Sequence, residues 1–222
     1  MRTAAVLVSA GQGKRFGAAK HEALLAGRPV LEWSLEAFQS LPEVGGIVLV
    51  LRDVSAGELY CRRFPKIFSV VAGGERRQDS VRGGFRELDP EDWDLVLVHD
   101  GVRPLAGQDL IRRVIAAAGE SGAAIPVIPE EDTLKVVAQG VVRSTLEREE
   151  IFRSQTPQGF QYSLLLRALN EAERDGFAGT DEAALVERLG RPVAAVAGER
   201  ANIKITTPED LRIAEACLDA KG

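Results

Sequence analysis

The chain has 222 residues, of which 45% are hydrophobic, and its formal net charge is -5. This length is enough for one well-buried core, so we expect a single domain over residues 1–222. The acidic balance argues against a general surface for nucleic acid or for membranes, so neither is an expected partner. Two cysteines and two histidines are too few for a disulfide framework or a multi-histidine zinc site, and we expect a cytoplasmic protein.

The first predicted element is a strand that runs directly into a glycine-rich loop. The strand covers residues 4–8, and the loop after it contains three glycines and three cations: Gly11, Gly13, Lys14, Arg15, Gly17 and Lys20. Glycines let backbone N–H groups approach phosphate oxygens, and the cations add positive charge. The alternative is an ordinary turn from strand to helix whose lysines face water. The loop therefore predicts a polyphosphate site.

This loop differs from two common phosphate-binding motifs. Its third glycine comes one residue too late for G-x-G-x-x-G, and no acidic residue ends the next strand at the spacing that ribose binding needs. The sequence G-x-x-x-x-G-K-[ST] does not occur. The loop alone thus indicates phosphate binding without identifying the nucleotide.

Short apolar runs alternate with helical patterns along the rest of the chain. We predict strands at 4–8, 47–51, 67–71, 95–98, 123–128, 193–196 and 203–206, and helices at 29–41, 79–88, 109–118, 161–174, 181–189 and 208–218. Several strands are unbroken apolar runs, which is typical of strands covered on both faces. The pattern predicts an α/β fold with a doubly wound, mostly parallel, Rossmann-like sheet that binds ligands at the carboxyl ends of its strands.

One segment interrupts this alternation. Residues 132–137, a turn at Gln139-Gly140 and residues 141–144 are typical of a β-hairpin. A hairpin inserted in a wound sheet has no place in the core, so we predict a projecting arm at about 131–153. Because a projecting apolar face usually needs a partner, we expect a homodimer formed through this arm.

Two junctions after strands carry candidate ligand-binding side chains. The strand at 95–98 is followed by Asp100 and Arg103, and Asp100 could hold Mg²⁺ against phosphate oxygens. The alternative is a turn in which Asp100 accepts backbone N–H groups. The second junction runs from Gly73 to Ser80, where helix capping by Asp79 or Ser80 is the alternative role.

Four later residues are also candidates, and each has an ordinary structural explanation to compare with a role in binding. Arg148 lies in an acidic run, which normally faces solvent. Lys204 lies in an apolar predicted strand, where a lysine must extend to solvent, form an ion pair or meet a ligand. Thr180 and Asp181 precede a helix, so capping is their default role.

Together these motifs resemble one family, the 2-C-methyl-D-erythritol 4-phosphate cytidylyltransferases of the non-mevalonate isoprenoid pathway. The resemblance extends from the first strand to the last helix and rests on residues 9–17, 73–74, 79–81, 98–104, 132–135, 155–158, 180–183 and 202–210. It implies a fold of the nucleotide-diphospho-sugar transferase type, CTP as a substrate, Mg²⁺ or another divalent cation, and a homodimer. The family usually has proline before the lysine that matches Lys20, whereas this chain has Ala19 in a loop two residues shorter.

The same resemblance implies a role for each matching residue. Arg15 and Lys20 match the pair that stabilises the reacting phosphorus, and Arg148 and Lys204 match the residues that hold methylerythritol phosphate. Asp100 matches the Mg²⁺ ligand, while Thr156 and Thr180 match the substrate wall. The remaining CTP-binding positions are Ala10, Gly11, Gly13, Lys14, Gly74, Glu75, Ser80 and Arg103. In the family's arrangement Arg148 serves the neighbouring subunit, which replaces the solvent-facing interpretation.

The expected reaction is in-line attack by the phosphate oxygen of methylerythritol phosphate on the α-phosphorus of CTP, with loss of pyrophosphate. Two alternatives stay open at this stage. The first is a cytidylyltransferase for ribitol 5-phosphate or another polyol phosphate, which would need the same kind of cations. The second is a nucleotide-sensing module without turnover, which would have no use for the acceptor-side cations Arg148 and Lys204.

Overall fold

The computed structural model describes residues 1–11 and 23–220. The strands in chain order are β1 (Thr3–Ser9), β2 (Leu24–Leu25), β3 (Arg28–Pro29), β4 (Val44–Leu51), β5 (Ile67–Ala72), β6 (Leu95–Asp100), β7 (Ala123–Pro129), β8 (Lys135–Ala138), β9 (Val141–Thr145), β10 (Phe152–Ser154), β11 (Gln158–Gln161) and β12 (Ala194–Ala197). The helices are α1 (Val30–Gln39), α2 (Gly57–Arg63), α3 (Arg77–Phe85), α4 (Gln108–Ser121), α5 (Tyr162–Arg174), α6 (Glu182–Arg188) and α7 (Pro208–Asp219), with a 3-10 turn at Val54–Ala56.

The central sheet has the strand order β10-β7-β11-β6-β1-β4-β5, and β12 pairs with β7. The pairs of β1 with β4 and β6, of β4 with β5 and of β7 with β12 are parallel. β11 and β10 are antiparallel to their neighbours. The fold-class prediction of a mostly parallel α/β sheet is therefore confirmed.

The unbroken apolar strands arise because helices cover both faces of the sheet. On one face, Leu7 and Leu97 belong to a core that includes Leu35 of α1 and Val114 of α4. On the other face, alternate strand residues such as Val6 pack in a second core with side chains of α3 and α5. Every residue of β1 and β6 is buried, so the polar residues that end β6 are held at a rigid edge.

The predicted strand at 203–206 is wrong. The backbone N–H of Ile205 donates to the carbonyl of Val102 at 2.9 Å, but the segment joins no sheet. The position beside β6 that a strand could occupy belongs to β11, whose Gln158–Gln161 pair with 95–98. The β11 sequence is short and half polar, which explains why hydrophobic pattern alone does not reveal it. The sequence pattern also missed α2, β2, β3 and β10.

The predicted hairpin forms from β8 and β9, which pair only with each other among the described strands. Gln139 and Gly140 both have positive φ, at 53° and 76°, as the two-residue turns that match the twist of hairpin strands require. All residues of β8 and β9 are exposed, including the cross-strand pair Val137 and Val142, each 57% exposed.

The last helix begins as its sequence predicts. The Thr207 hydroxyl accepts a hydrogen bond from the Asp210 N–H, and the Asp210 carboxylate accepts one from the Thr207 N–H at 2.8 Å. This reciprocal cap fixes the chain immediately after residues 203–206. Within the described ranges, no helix combines the length and apolarity needed to cross a membrane.

Candidate active site

Asp100 is the centre of a buried charge cluster at the carboxyl end of β6. Its Oδ1 accepts a hydrogen bond from Arg77 Nε at 2.8 Å, and its Oδ2 lies 2.7 Å from Lys204 Nζ. Burial by itself raises the pKa of Asp100, but the charges and hydrogen bonds of Arg77 and Lys204 outweigh it and hold the pKa far below its ordinary value. Asp100 is therefore a permanent carboxylate.

Arg77 also contacts a second buried carboxylate. Its Nη1 lies 2.9 and 2.8 Å from the two carboxylate oxygens of Glu182, which is 1% exposed. Burial raises the pKa of Glu182, and Arg77 opposes that rise. Burial lowers the pKa of Arg77 itself, but the two carboxylates outweigh burial and raise it. Two acidic and two basic side chains thus form a neutral cluster when both acids are ionised.

The residue before Asp100 connects this cluster to the loop after β10. His99 is fully buried, and burial lowers its pKa to about 3, so its ring is neutral near pH 7. Its Nε2 lies 3.3 Å from the Arg103 carbonyl, which can only accept, and therefore carries the proton. Nδ1 then accepts from the Thr156 hydroxyl at 3.0 Å, and that hydroxyl accepts the Asp100 N–H at 3.1 Å.

The hydrogen bonds of Thr156 restrict what it can offer to a substrate. Its hydroxyl proton is committed to His99, and one acceptor position is taken by the Asp100 N–H. One acceptor position remains, so Thr156 could receive a hydrogen bond from a ligand but not donate one without losing its bond to His99. The side chain is 5% exposed, consistent with a position in the wall beneath a ligand.

Arg103 connects the loop after β6 to two neighbouring segments. Its Nη1 donates to the Asn202 carbonyl at 2.7 Å, and its Nη2 reaches the Ser154 carbonyl at 3.4 Å. The amide of Asn202 in turn donates to the Thr156 carbonyl at 2.9 Å. Burial lowers the pKa of Arg103. Arg103, which the sequence predicts to bind CTP, therefore connects the loop after β6 to the end of β10 and to the segment that contains Asn202.

The residues that the sequence predicts to bind the nucleotide follow the ends of β1 and β5. A Cβ added at Gly73 would overlap the Cβ of Ala10, so only glycine allows these two loops to approach so closely. The Ser80 hydroxyl accepts the Gly74 N–H at 3.0 Å and lies 3.2 Å from the Arg76 carbonyl. The structure thus brings Ala10 to the glycine pair and places Gly11 next to it, with Glu75 exposed nearby.

Four predicted residues of the first loop, Gly13, Lys14, Arg15 and Lys20, lie outside the described residues. Their roles stay predictions from the sequence.

Two predicted acceptor-side residues lie away from the contacts of Asp100. Arg148 is exposed between β9 and β10, where its guanidinium donates to the Glu131 carbonyl. Thr180 is exposed, and the cap of α6 is its neighbour Asp181, whose carboxylate accepts the Ala184 N–H at 3.1 Å. Capping therefore explains Asp181 and leaves the Thr180 hydroxyl without a structural role.

Sequence reasoning missed Arg77 and Glu182 as members of the site. They are 105 residues apart, and their pairing depends on the tertiary fold. The sequence held one weak indication for Arg77. It is the first residue of α3, and the partial positive charge at a helix N-terminus disfavours an arginine there. Such a placement suggests a contact outside the helix.

Comparisons with known proteins identify the family. The family model for 2-C-methyl-D-erythritol 4-phosphate cytidylyltransferase matches residues 3–220. A protein of that name from Geobacter metallireducens is 42% identical, with 100% of this chain and 99% of the relative covered. The crystal structure of the enzyme of that name from Thermus thermophilus is 35% identical, with a TM-score of 0.80 over 99% of this chain and 100% of that one. The structure of 4-diphosphocytidyl-2C-methyl-D-erythritolsynthase from Anaerococcus prevotii is 32% identical, with a TM-score of 0.85 over 98% and 96%. The chain belongs to the 2-C-methyl-D-erythritol 4-phosphate cytidylyltransferase family.

Proposed function

We propose that the cluster around Asp100 supports the reaction of this family, in which the chain transfers the cytidylyl group of CTP to 2-C-methyl-D-erythritol 4-phosphate. The observation that carries the assignment of the site is the buried Asp100, which has Lys204 at 2.7 Å on the carboxyl edge of the sheet. Ligands of open α/β sheets bind at this edge. The products are 4-diphosphocytidyl-2-C-methyl-D-erythritol and pyrophosphate.

The chemical step forms a bond between an oxygen of the acceptor phosphate and the α-phosphorus of CTP. The bond from that phosphorus to the bridging oxygen of pyrophosphate breaks. No general base is required because the attacking phosphate oxygen is already ionised near neutral pH. Since both reactants are anions, the protein must align them and offset their repulsion with fixed positive charge.

The positive charge comes from both sides of the reacting phosphorus in this proposal. Arg15 and Lys20 stabilise the charge that builds on the α-phosphate, with Gly13 and Lys14 against the triphosphate. Lys204 holds the acceptor phosphate together with Arg148. Thr156 and Thr180 form the acceptor wall, and Ala10, Gly11, Gly74, Glu75, Ser80 and Arg103 surround the nucleotide.

A divalent cation, Mg²⁺ or a similar ion, is part of the proposal, and Asp100 is its proposed ligand. In residues 1–11 and 23–220, no three His, Cys, Asp or Glu side chains group together as a metal site. The residues present fit an ion held by one carboxylate plus CTP phosphates and water, as Mg²⁺ commonly is. Arg77 and Lys204 use two of the four acceptor positions of the Asp100 carboxylate, which leaves positions for the ion. When bound, the ion would neutralise phosphate charge.

A homodimer through the arm is the proposed assembly, with Arg148 serving the partner's site. The exposed valines of the hairpin support it, because an apolar face of this kind on a projecting ribbon is typical of an interface. We also infer a cytoplasmic location, supported by the two free cysteines Cys61 and Cys217.

The assay that tests the reaction measures pyrophosphate release with CTP, Mg²⁺ and either methylerythritol phosphate or ribitol 5-phosphate. We expect turnover with methylerythritol phosphate and little with ribitol 5-phosphate. Lys20→Ala should reduce turnover at saturating substrates by about a hundredfold or more, whereas substitution of an exposed arginine of α2, Arg62→Ala, should not. Equal turnover with both acceptors would contradict the substrate assignment, and a fully active Lys20→Ala variant would contradict the role of that lysine.

The shared site has its own test. Arg148→Ala and Lys20→Ala subunits are each expected to be inactive, and mixing them should restore part of the activity because one of the two sites then has both residues. A confirmed heterodimer without recovered activity would remove the proposal that Arg148 acts across the interface.

A further inference from the structure

Arg77 joins two buried carboxylates that belong to different elements. We propose that Arg77 and Glu182 are positioning residues that hold Asp100 in place while Lys204 exchanges Asp100 for the acceptor phosphate. The inference rests on the role proposed above for Asp100. Arg77 is the first residue of α3, Glu182 is the first residue of α6, and Asp100 ends β6. One guanidinium therefore fixes three elements relative to one another.

The geometry defines the orientation of the guanidinium. Both oxygens of Glu182 lie within hydrogen-bond distance of Arg77 Nη1, and Nε points at Asp100 Oδ1 at 2.8 Å. Because the guanidinium group is planar and its N–H directions are fixed, rotation would break at least one of these bonds. Glu182 thus determines where the Nε–H bond of Arg77 points, and that bond determines where the Asp100 carboxylate lies.

The two cations that contact Asp100 differ in exposure. The Arg77 side chain is 25% exposed, whereas that of Lys204 is 37% exposed, and Asp100 beneath them is 8% exposed. Lys204 also extends from a segment that joins no sheet. Lys204 is therefore the partner that can leave for an incoming phosphate, and Arg77 is the partner that stays.

Stability alone does not account for this arrangement. Burying charged groups requires desolvation, and replacing a buried ion pair with apolar side chains is often neutral or stabilising. Arg77 moreover opens a helix, where a positive charge is disfavoured. A role in orienting Asp100 explains both features.

The experiment separates positioning from folding by comparing single and double variants. Arg77→Met leaves Glu182 buried without its cation, so both melting temperature and turnover should fall. In Arg77→Met/Glu182→Gln the unpaired buried charge is gone, and most of the lost melting temperature should return. Turnover at saturating CTP, acceptor and Mg²⁺ should nevertheless stay about 10- to 100-fold below that of the unmodified chain. This is the usual loss when a residue that orients a metal-binding side chain is removed.

Two further variants make every outcome informative. Arg112→Met, which removes an exposed arginine paired with Glu43, is the matched control and should leave turnover unchanged. Glu182→Gln alone should lower turnover with little change in melting temperature, and it carries the test if Arg77→Met does not fold. Recovery of turnover together with melting temperature in the double variant, or full turnover in Glu182→Gln, would overturn the inference.

Asp100→Asn distinguishes failure of this inference from failure of the proposed site. We expect it to reduce turnover by about a hundredfold or more. If Asp100→Asn is fully active, the proposed role of Asp100 is wrong and the positioning role falls with it. If Asp100→Asn is impaired while the double variant recovers turnover, only the positioning role is wrong.

Discussion

The buried end of β6 and the projecting hairpin of β8 and β9 differ in how their side chains are partnered. At the end of β6, Asp100 has an ion-pair partner for each carboxylate oxygen within the same chain. On the hairpin, valines that would normally be buried are exposed. The charges at the end of β6 are therefore paired within the chain, whereas the apolar side chains of the hairpin are exposed.

The largest expected effect in this comparison is at Lys204. Lys204→Ala should reduce turnover by about a hundredfold or more, because it removes the positive charge that we propose for the acceptor side of the reacting phosphorus. The measurement is pyrophosphate release at saturating substrates. Arg153→Ala, which removes an exposed arginine of β10 at the end of the predicted arm, should have a much smaller effect. A Lys204→Ala variant with normal turnover would show that the buried cluster does not act on the acceptor.

The second prediction concerns the arm. Val137→Asp/Val142→Asp places two like charges on one apolar face, where charge repulsion in an interface costs several kcal/mol. We expect monomers in sedimentation velocity, with turnover reduced in proportion to the lost dimer and the melting profile of the body retained. Val54→Asp, an exposed valine in the 3-10 turn, is the control. An active dimer carrying both aspartates would exclude the arm as the interface.

The third prediction compares adjacent glycines of α3. A Cβ at Gly84 would lie 2.6 Å from Val6 Cγ1, so Gly84→Ala should destabilise the fold by about 1–3 kcal/mol. A Cβ at Gly83 would lie no nearer than 3.8 Å to the Ala72 carbonyl oxygen, so Gly83→Ala should stabilise the helix by up to about 1 kcal/mol. Urea unfolding measures both. Equal changes in the free energy of unfolding for the two variants would mean that the helix is not packed tightly against β1 at Gly84.

The smallest effect is expected at the cap of α7. Burial raises the pKa of Asp210, but hydrogen bonds from Thr206 and Thr207 outweigh it and lower the pKa below its ordinary value. This stabilisation is present above the ordinary carboxyl pKa of about 4 and is lost as the pH falls through the lowered value. Asp210→Asn should therefore cost about 1 kcal/mol near neutral pH, and the difference should shrink below about pH 4.

Thermal unfolding over that pH range measures the effect at Asp210. A stability difference between Asp210→Asn and the unmodified chain that grows toward acid would contradict the expected sign.

The parallel core of the fold was predictable because its signals are local. Unbroken runs such as residues 95–98 reflect burial on both faces, and the turn at Gln139-Gly140 carries its own backbone preference. β11 escaped prediction because its four residues are held by neighbours on both sides and include Gly159, which packs where a Cβ would lie 2.8 Å from Val114 Cγ1. Tertiary contacts decide such a strand.

The site was predictable only in part for the same reason. Motifs singled out Asp100, Lys204 and Thr156, and the structure brings all three together, while their roles stay predictions. The ion pair of Arg77 and Glu182 joins positions far apart in the chain, and no local sequence pattern predicts it. The strand predicted at 203–206 failed because its apolar alternation reflects packing of Ile203 and Ile205 in a cluster with side chains of α1 and α7 rather than sheet pairing.

The segment that carries Lys204 is held by side-chain amides, by the bond from the Ile205 N–H to the Val102 carbonyl and by the cap of α7. Gln155 bonds to the carbonyls of Glu199 and Asn202, and Asn202 bonds to Thr156, so no sheet ladder depends on residues 199–206. Exchanges in this stretch are therefore expected to change the surroundings of Lys204 while the central sheet keeps its strand pairing.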